Sequence, residues 1–324
     1  MTLTTAKPDA TVIDKNASVP SVDPSGAKKV ATSADGTYSL VTTMDVGDIA
    51  YFKITFNAVN YVVKDGAATQ IKEYTVTDTP DGFSIDRNSV AVQVGSTALD
   101  ASAYSASLSA DGVLTVHNNS LYASPSEVTV SYTATLTNKN IADKSTNTAS
   151  ISYDGTNIPD IPVVEVYNYT VKIDKYKEGN ENTKLSGAQF VLKNSDGKFY
   201  SVNASTGVVS WVDTEENATV VTTDESGAAT FSGLAAGTYS LKETKAPDGY
   251  NLLSDEVEVT LNPISNTVTD PSILTVTTQV SNSSGTQLPS TGGMGTTLLY
   301  AVGVILVLGA GILLVVRRRM GASR

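Results

Sequence analysis

Seven Asp-Gly dipeptides punctuate this chain, at 35–36, 65–66, 81–82, 111–112, 154–155, 196–197 and 248–249. Glycine takes positive φ at no steric cost and aspartate tolerates it, so the pair is suited to tight hairpins. Between these points run short alternations of Thr, Ser, Val and Tyr, residues that fit a pleated, half-buried surface. No stretch before residue 298 holds a helical period. Such a chain must fold as β-hairpins, and 324 residues that are 40% apolar can bury more than one core.

Composition removes several functions. There is no cysteine, so disulfides, thiol catalysis, Cys-ligated zinc and iron–sulfur clusters are excluded. A hydrolase triad or a histidine-rich metal site would have to rest on the single histidine, His117. It stands in an alternating run and reads as an ordinary strand or surface residue, and no cofactor is expected. The net charge of −11, with few and scattered Lys and Arg, argues against nucleic acid as a partner. The Asp-Gly sites lack the ligand run of a calcium loop and read as turns. Trp211 reads as a packing residue.

From Leu298 to Val316 run 19 residues without a charge, followed by Arg317, Arg318 and Arg319 and later Arg324. About 20 apolar residues cross a bilayer as a helix, and the arginines keep the C-terminus on the cytoplasmic side. With those four arginines set aside, 18 basic residues face 33 acidic ones, so the body is an acidic, outward-facing object. The first residues have neither a basic nor an apolar leader region, so the chain reads as N-terminally incomplete.

The prolines of Asn157-Ile-Pro-Asp-Ile-Pro162 interrupt the alternation and mark a boundary. The expected organisation is a linker or remnant of a preceding domain over 1–25, one domain over 26–166 and a second over 167–283. A terminal segment follows over 284–324. Each domain has the size of one immunoglobulin-like β-sandwich. The fold class expected is therefore all-β: two tandem sandwiches followed by one transmembrane helix.

Immediately before the apolar segment stands Leu288-Pro289-Ser290-Thr291-Gly292. Pentapeptide, membrane helix and arginine tail, in that order, resemble the sorting signal of Gram-positive wall proteins that are substrates of sortase. The resemblance implies that a sortase cysteine attacks the Thr291 carbonyl and releases Gly292. An amine of the peptidoglycan precursor or of another subunit then takes Thr291 over.

Val171-Lys-Ile-Asp-Lys175, Leu185-Ser-Gly-Ala-Gln-Phe190, Gly237-Thr-Tyr-Ser-Leu-Lys-Glu243 and Leu274 to Asn282 resemble a Cna B-type domain of pilins and surface adhesins. That family forms an internal Lys–Asn isopeptide bond, which implies Lys175 as nucleophile, Asn282 as acceptor and Glu243 as the assisting acid. Strand parity agrees independently. Residues two apart share a face, so Lys175 sides with Val171 and Ile173, Glu243 with Tyr239 and Leu241, and Asn282 with Val276 and Val280. All three polar groups then point into the core, where burial lowers a lysine pKa and raises that of an acid.

The preceding region is spelled differently. Gly47 to Phe56, Tyr74 to Gly82, Val128 to Ala134 and Asn147 to Tyr153 resemble the isopeptide-forming middle domain of backbone pilins. The resemblance implies Asp78 as the acid, sharing a face with Tyr74 and Val76, and Asn147 as the acceptor. Lys28 and Lys29 both stand in the opening strand. Lys28 shares parity with Val30 and is preferred, although the family's proline-valine stretch is replaced here by Asp23-Pro-Ser-Gly26. Each bond is expected to tie the first strand of its domain to the last.

These readings describe a non-enzymatic fimbrial subunit, peptidoglycan-anchored at a Gram-positive surface. Its partners would be sortase, the peptidoglycan precursor and other pilin subunits. The alternative is a solitary wall-anchored adhesin that binds a host-surface protein or glycan. The family's Tyr-Pro-Lys polymerisation motif does not occur. Only a few residues separate Asn282 from Leu288, too few for the long spacer of a solitary adhesin.

Overall fold

The structure, a computed structural model, describes residues 19–64, 67–110, 114–118, 126–159 and 161–285. The sorting pentapeptide, the apolar segment and the arginine tail lie outside the described residues. Apart from three one-turn 3-10 segments, every regular element among the described residues is a strand.

The principal strands of the first unit are β1 (Lys28–Ala31), β2 (Val41–Thr43), β3 (Ile49–Ala58), β4 (Tyr74–Asp81), β5 (Phe83–Val94), β6 (Ser126–Leu136), β7 (Lys144–Tyr153) and β8 (Val164–Tyr167). One sheet runs β1-β3-β6-β5, and the other runs β2-β8-β7-β4 and continues through Leu114–Asn118 and Tyr104–Leu108. Alternation is strict where one sheet face meets the core: β6 buries Val128, Val130, Tyr132, Ala134 and Leu136 and leaves the residues between them part-exposed. These residues pack with Phe52, Ile54 and Phe56 of β3, and with Val76, Ile151, Val164 and Val166 of the opposite sheet. The Asp154-Gly155 dipeptide closes the turn from β7 to Thr156–Ile158 with φ of 44° and 78°, the double positive φ that a two-residue hairpin demands.

The second unit comprises β9 (Tyr169–Lys177), β10 (Gln189–Lys193), β11 (Ala228–Leu234), β12 (Gly237–Lys245), β13 (Val257–Leu261) and β14 (Thr275–Asn282), with shorter strands between. In one sheet β9 pairs antiparallel with β11 and parallel with β14; the facing sheet contains β10-β12-β13. Phe190, Leu192, Phe231, Leu241 and Leu261 fill the space between the sheets.

The two cores meet through the loop after β2. Val46 is fully buried within the second core; its N–H donates to Gly233 O and its carbonyl accepts from Val209 N, both at 2.8 Å. The Asp45 carboxylate accepts the Trp211 indole N–H at 2.7 Å and the Ala235 N–H at 2.5 Å. Burial raises the Asp45 pKa against those two hydrogen bonds. Asp48 is pushed up to about 6 by its own burial and by the charge of Asp45. Trp211, read from sequence as a packing residue, stacks on Tyr239 at 5.6 Å and also ties the two units together.

Candidate functional site

In the first unit, β1 and β6 lie in one sheet and β4 and β7 are neighbours in the other, with Asp78 opposite Ala149 and Asn147 opposite Pro80. Inward parity on these strands aims Lys28, Tyr132, Asp78 and Asn147 at one point between the sheets. All are buried; Lys28, Asp78 and Asn147 have no exposed surface. Lys28 Nζ donates to Asn147 Oδ1 at 2.7 Å and pairs with Asp78 Oδ1. The Tyr132 hydroxyl donates to Asp78 Oδ2 and accepts from Asn147 Nδ2 at 2.7 Å. Four side chains thus close a ring of hydrogen bonds in which every member is paired.

The electrostatics follow from that burial. Desolvation lowers the Lys28 pKa to about 8 despite the opposing charge of Asp78, bringing the neutral amine within reach. Desolvation and Asp78 together push the Tyr132 hydroxyl well above its usual range, so it stays protonated. Phe52 stacks on Tyr132 at 5.2 Å and lies 5.8 Å from Lys28 Nζ.

Lys29, the other lysine of the opening strand, faces outward and lines an open groove with Asp23, Tyr38 and Lys53. Two strands, Thr156–Ile158 and β8, follow the strand that carries Asn147. The expectation that the first unit's pair joins its first and last strands is therefore corrected: the pair crosses from sheet to sheet inside the sandwich.

In the second unit, Lys175 and Asn282 occupy adjacent parallel strands of one sheet, β9 and β14, where Lys175 stands opposite Val280 and Lys177 opposite Asn282. Glu243 comes from β12 in the facing sheet. Lys175 has no exposed surface, and Asn282 and Glu243 are 1% and 4% exposed, so all three are removed from solvent screening. Glu243 reaches both side chains: Oε1 lies 3.1 Å from Lys175 Nζ, and Oε2 accepts Asn282 Nδ2 at 2.8 Å and the Leu253 N–H at 2.9 Å. Asn282 Nδ2 also donates to the Asn251 carbonyl at 2.5 Å.

Those bonds turn the amide nitrogen toward its acceptors. Asn282 Oδ1 and Lys175 Nζ are left without an aligned hydrogen bond among the described residues. Burial also lowers the Lys175 pKa, against the charge of Glu243. The Lys175 amine keeps its ion pair with Glu243 Oε1, and the Asn282 carbonyl is unengaged among the described residues. At the end of β9 the Lys175 carbonyl lies so close to Gly227 (φ 75°) that a Cβ there would sit 2.3 Å from its oxygen.

Sequence parity did not single out Tyr132, Asn251 or Leu253. Tyr132 carried a usable signal, a hydroxyl-bearing residue in register with Val128 and Val130. Asn251 and Leu253 contribute only main-chain atoms and left no side-chain signal. His117 lies on Leu114–Asn118 with Nδ1 3.0 Å from Thr75 Oγ1.

Residues 169–272 match the SpaA family, a prealbumin-like fold domain, and residues 280–320 match the LPXTG cell wall anchor motif of Gram-positive proteins. No curated protein matches the chain. Among solved structures, the group B streptococcus pilus 2b backbone protein is similar with a TM-score of 0.65 and 29% identity, covering 82% of this chain and 100% of that one. The pilus backbone RrgB of Streptococcus pneumoniae gives 0.58 at 14% identity, with 82% and 100% covered. BcpA, the major pilin subunit of Bacillus cereus, gives 0.53 at 22% identity, with 82% and 71% covered. The last two bear on the fold alone. The chain is thus an all-β, cell-wall-anchored surface protein of structural rather than enzymatic character.

Proposed function

We propose that this chain is a pilin, a structural subunit of a cell-surface fimbria. Sortase joins it covalently to other subunits and to peptidoglycan, and an internal Lys–Asn amide bond stiffens each sandwich. The observation that carries this reading is the pair of fully buried Lys–acid–Asn clusters, one per sandwich. A buried ion pair contributes little net stability and is weak as a purely structural device. It becomes intelligible as the reactant state of a cross-link. The wall anchor and the similarity to a pilus backbone protein supply the setting.

The chemistry needs no partner enzyme. The acid takes a proton from the lysine, the neutral amine attacks the asparagine Cγ, and the amide nitrogen leaves as ammonia. Lys28 would join Asn147 with Asp78 as acid, and Lys175 would join Asn282 with Glu243 as acid. An amide is not opened by reductants, so it gives a cysteine-free extracellular chain what a disulfide gives others. At the C-terminus, Leu288 and Pro289 would seat the sortase groove, and cleavage between Thr291 and Gly292 would make Thr291 the acyl donor.

Thr291→Ala in the native host tests the assembly. Wall extracts of the unaltered strain should show a ladder of detergent-resistant multimers that the variant loses. A single anchored species in the unaltered strain would instead favour the solitary adhesin.

A further inference from the structure

The two clusters differ at the atom that must leave. In the second unit Glu243 touches both ends of the exchange, with one oxygen 3.1 Å from Lys175 Nζ and the other 2.8 Å from Asn282 Nδ2. In the first unit the acid is an aspartate, one methylene shorter. Its Oδ1 meets Lys28 Nζ, but Oδ2 is bonded to the Tyr132 hydroxyl and not to the amide. The hydroxyl in turn lies 2.7 Å from Asn147 Nδ2. Tyr132 fills the gap that the shorter carboxylate leaves.

Resting on the cross-linking read above, we propose that Tyr132 is a catalytic residue of the first unit. It relays the proton from Asp78 to the departing amide nitrogen of Asn147.

The step balances around the ring. The Lys28 ammonium gives one proton to Asp78, and the neutral amine bonds to Asn147 Cγ. Nδ2, a donor while the amide is planar, becomes a pyramidal amine with a free lone pair. Its hydrogen bond with Tyr132 then reverses. Tyr132 passes its hydroxyl proton to Nδ2 and takes the proton of Asp78, which a half-turn of the carboxyl group about Cβ–Cγ carries from the lysine side to the hydroxyl. Asp78 recovers a proton from Nζ at the oxygen that the half-turn brings to it. The Cγ–Nδ2 bond breaks and ammonia leaves. The amide, a protonated Asp78 and an unchanged Tyr132 remain, and no water or co-reactant enters.

Local structure holds the hydroxyl in place. Tyr132 pairs with Phe52 on β3 and stacks on its ring. On the other side, pairing with β5 jumps from Ala91 opposite Ser131 to Asp86 opposite Thr133, an irregularity centred on Tyr132. Such breaks re-aim a side chain next to a reacting site. The second unit places no side-chain hydroxyl against Asn282 Nδ2 among the described residues; the Asn251 carbonyl and Glu243 hold it.

The test follows cross-linking in the full chain by intact mass and peptide mapping, comparing the unaltered protein with Tyr132→Phe. The variant keeps the ring and loses the oxygen. It should lose ammonia normally in the second unit, while the first unit cross-links at least about a hundredfold more slowly, the scale of a lost general acid. Adding Asp78→Glu to Tyr132→Phe should restore cross-linking, because the longer carboxylate reaches Nδ2 directly. If Tyr132→Phe does not fold, 4-fluorophenylalanine at position 132 fills the same volume without a transferable proton, and the same slowing is expected. Full cross-linking of the first unit at the unaltered rate in any folded variant lacking the hydroxyl would overturn the relay. So would a double variant as slow as Tyr132→Phe. If the unaltered first unit keeps its ammonia, the cross-linking reading itself fails, a separate result.

Discussion

The two sandwiches hold the same three kinds of side chain in different geometries. In the first, Lys28 and Asn147 come from opposite sheets, so an amide between them would bolt the sandwich face to face. In the second, Lys175 and Asn282 stand on neighbouring parallel strands of one sheet, and only the acid crosses from the other. The first cluster is fully hydrogen-bonded around Tyr132, whereas the second holds its amine by an ion pair to Glu243 without an aligned hydrogen bond and leaves its carboxamide carbonyl unengaged. The proposed cross-linking would constrain the distances among amine, acid and carboxamide, not the strands that bring them. Glu243 meets both Lys175 and Asn282, whereas Asp78 meets Lys28 and connects to the Asn147 amide through the Tyr132 hydroxyl.

Removing the acids should have the largest effect and treats the units separately. Asp78→Ala should retain one ammonia, its mass short of its own sequence by one ammonia instead of two, and untie the first unit alone, and Glu243→Ala the second alone. Each bond closes a loop of more than a hundred residues. By the loop-entropy arithmetic used for disulfides, each loss lowers stability by about 4–5 kcal/mol, readable in thermal unfolding. If either variant lost both bonds, the two sites would not be independent.

Gly227→Ala should fall on the second unit only. Positive φ and the close Lys175 carbonyl predict a loss of about 1–3 kcal/mol there, with slower loss of its ammonia and an unchanged first unit. Calorimetry with peptide mapping separates the two.

The pH dependence sharpens the first site. In the proposed reaction the Lys28 proton is needed to protonate the departing amide nitrogen. That proton is lost above about 8, so cross-linking should slow about tenfold per pH unit beyond it. Unfolding would not explain such slowing. The folded Lys28 pKa lies below its usual 10.5, so the folded state sheds its proton first, and the uncross-linked unit gains stability between about 8 and 10.5. Mass spectrometry of freshly made chain across this range reads the rate.

Trp211→Phe removes the indole bond to Asp45 across the junction and should cost about 1 kcal/mol, separating the two melting transitions without changing either cross-link. Lys29→Ala should be nearly silent, within about 0.5 kcal/mol and with unchanged mass, because that side chain faces the open groove rather than the cluster.

Much of the fold is legible in the sequence. Asp-Gly spacing marks the turn at Asp154-Gly155, and alternation carries the all-β class. Parity selects the inward faces on which Lys28, Asp78, Asn147, Lys175, Glu243 and Asn282 are buried. Parity says which face a side chain takes, but not which strand lies beside it. The cross-sheet path of Lys28 to Asn147 and the in-sheet path of Lys175 to Asn282 depend on strand order, set by packing between distant segments. Tyr132 is not singled out by parity because its partner atoms lie 54 and 15 residues away. The insertion of Val46 into the second core arises from a loop with no periodicity to read.

The central claim is that each sandwich carries one internal amide, built on different strand geometry. Intact mass of the purified full chain, followed by sequencing of its proteolytic fragments, tests it most directly. The account predicts a mass short by two ammonia molecules, with branched peptides joining Lys28 to Asn147 and Lys175 to Asn282. A full, undiminished mass with only linear peptides would contradict it.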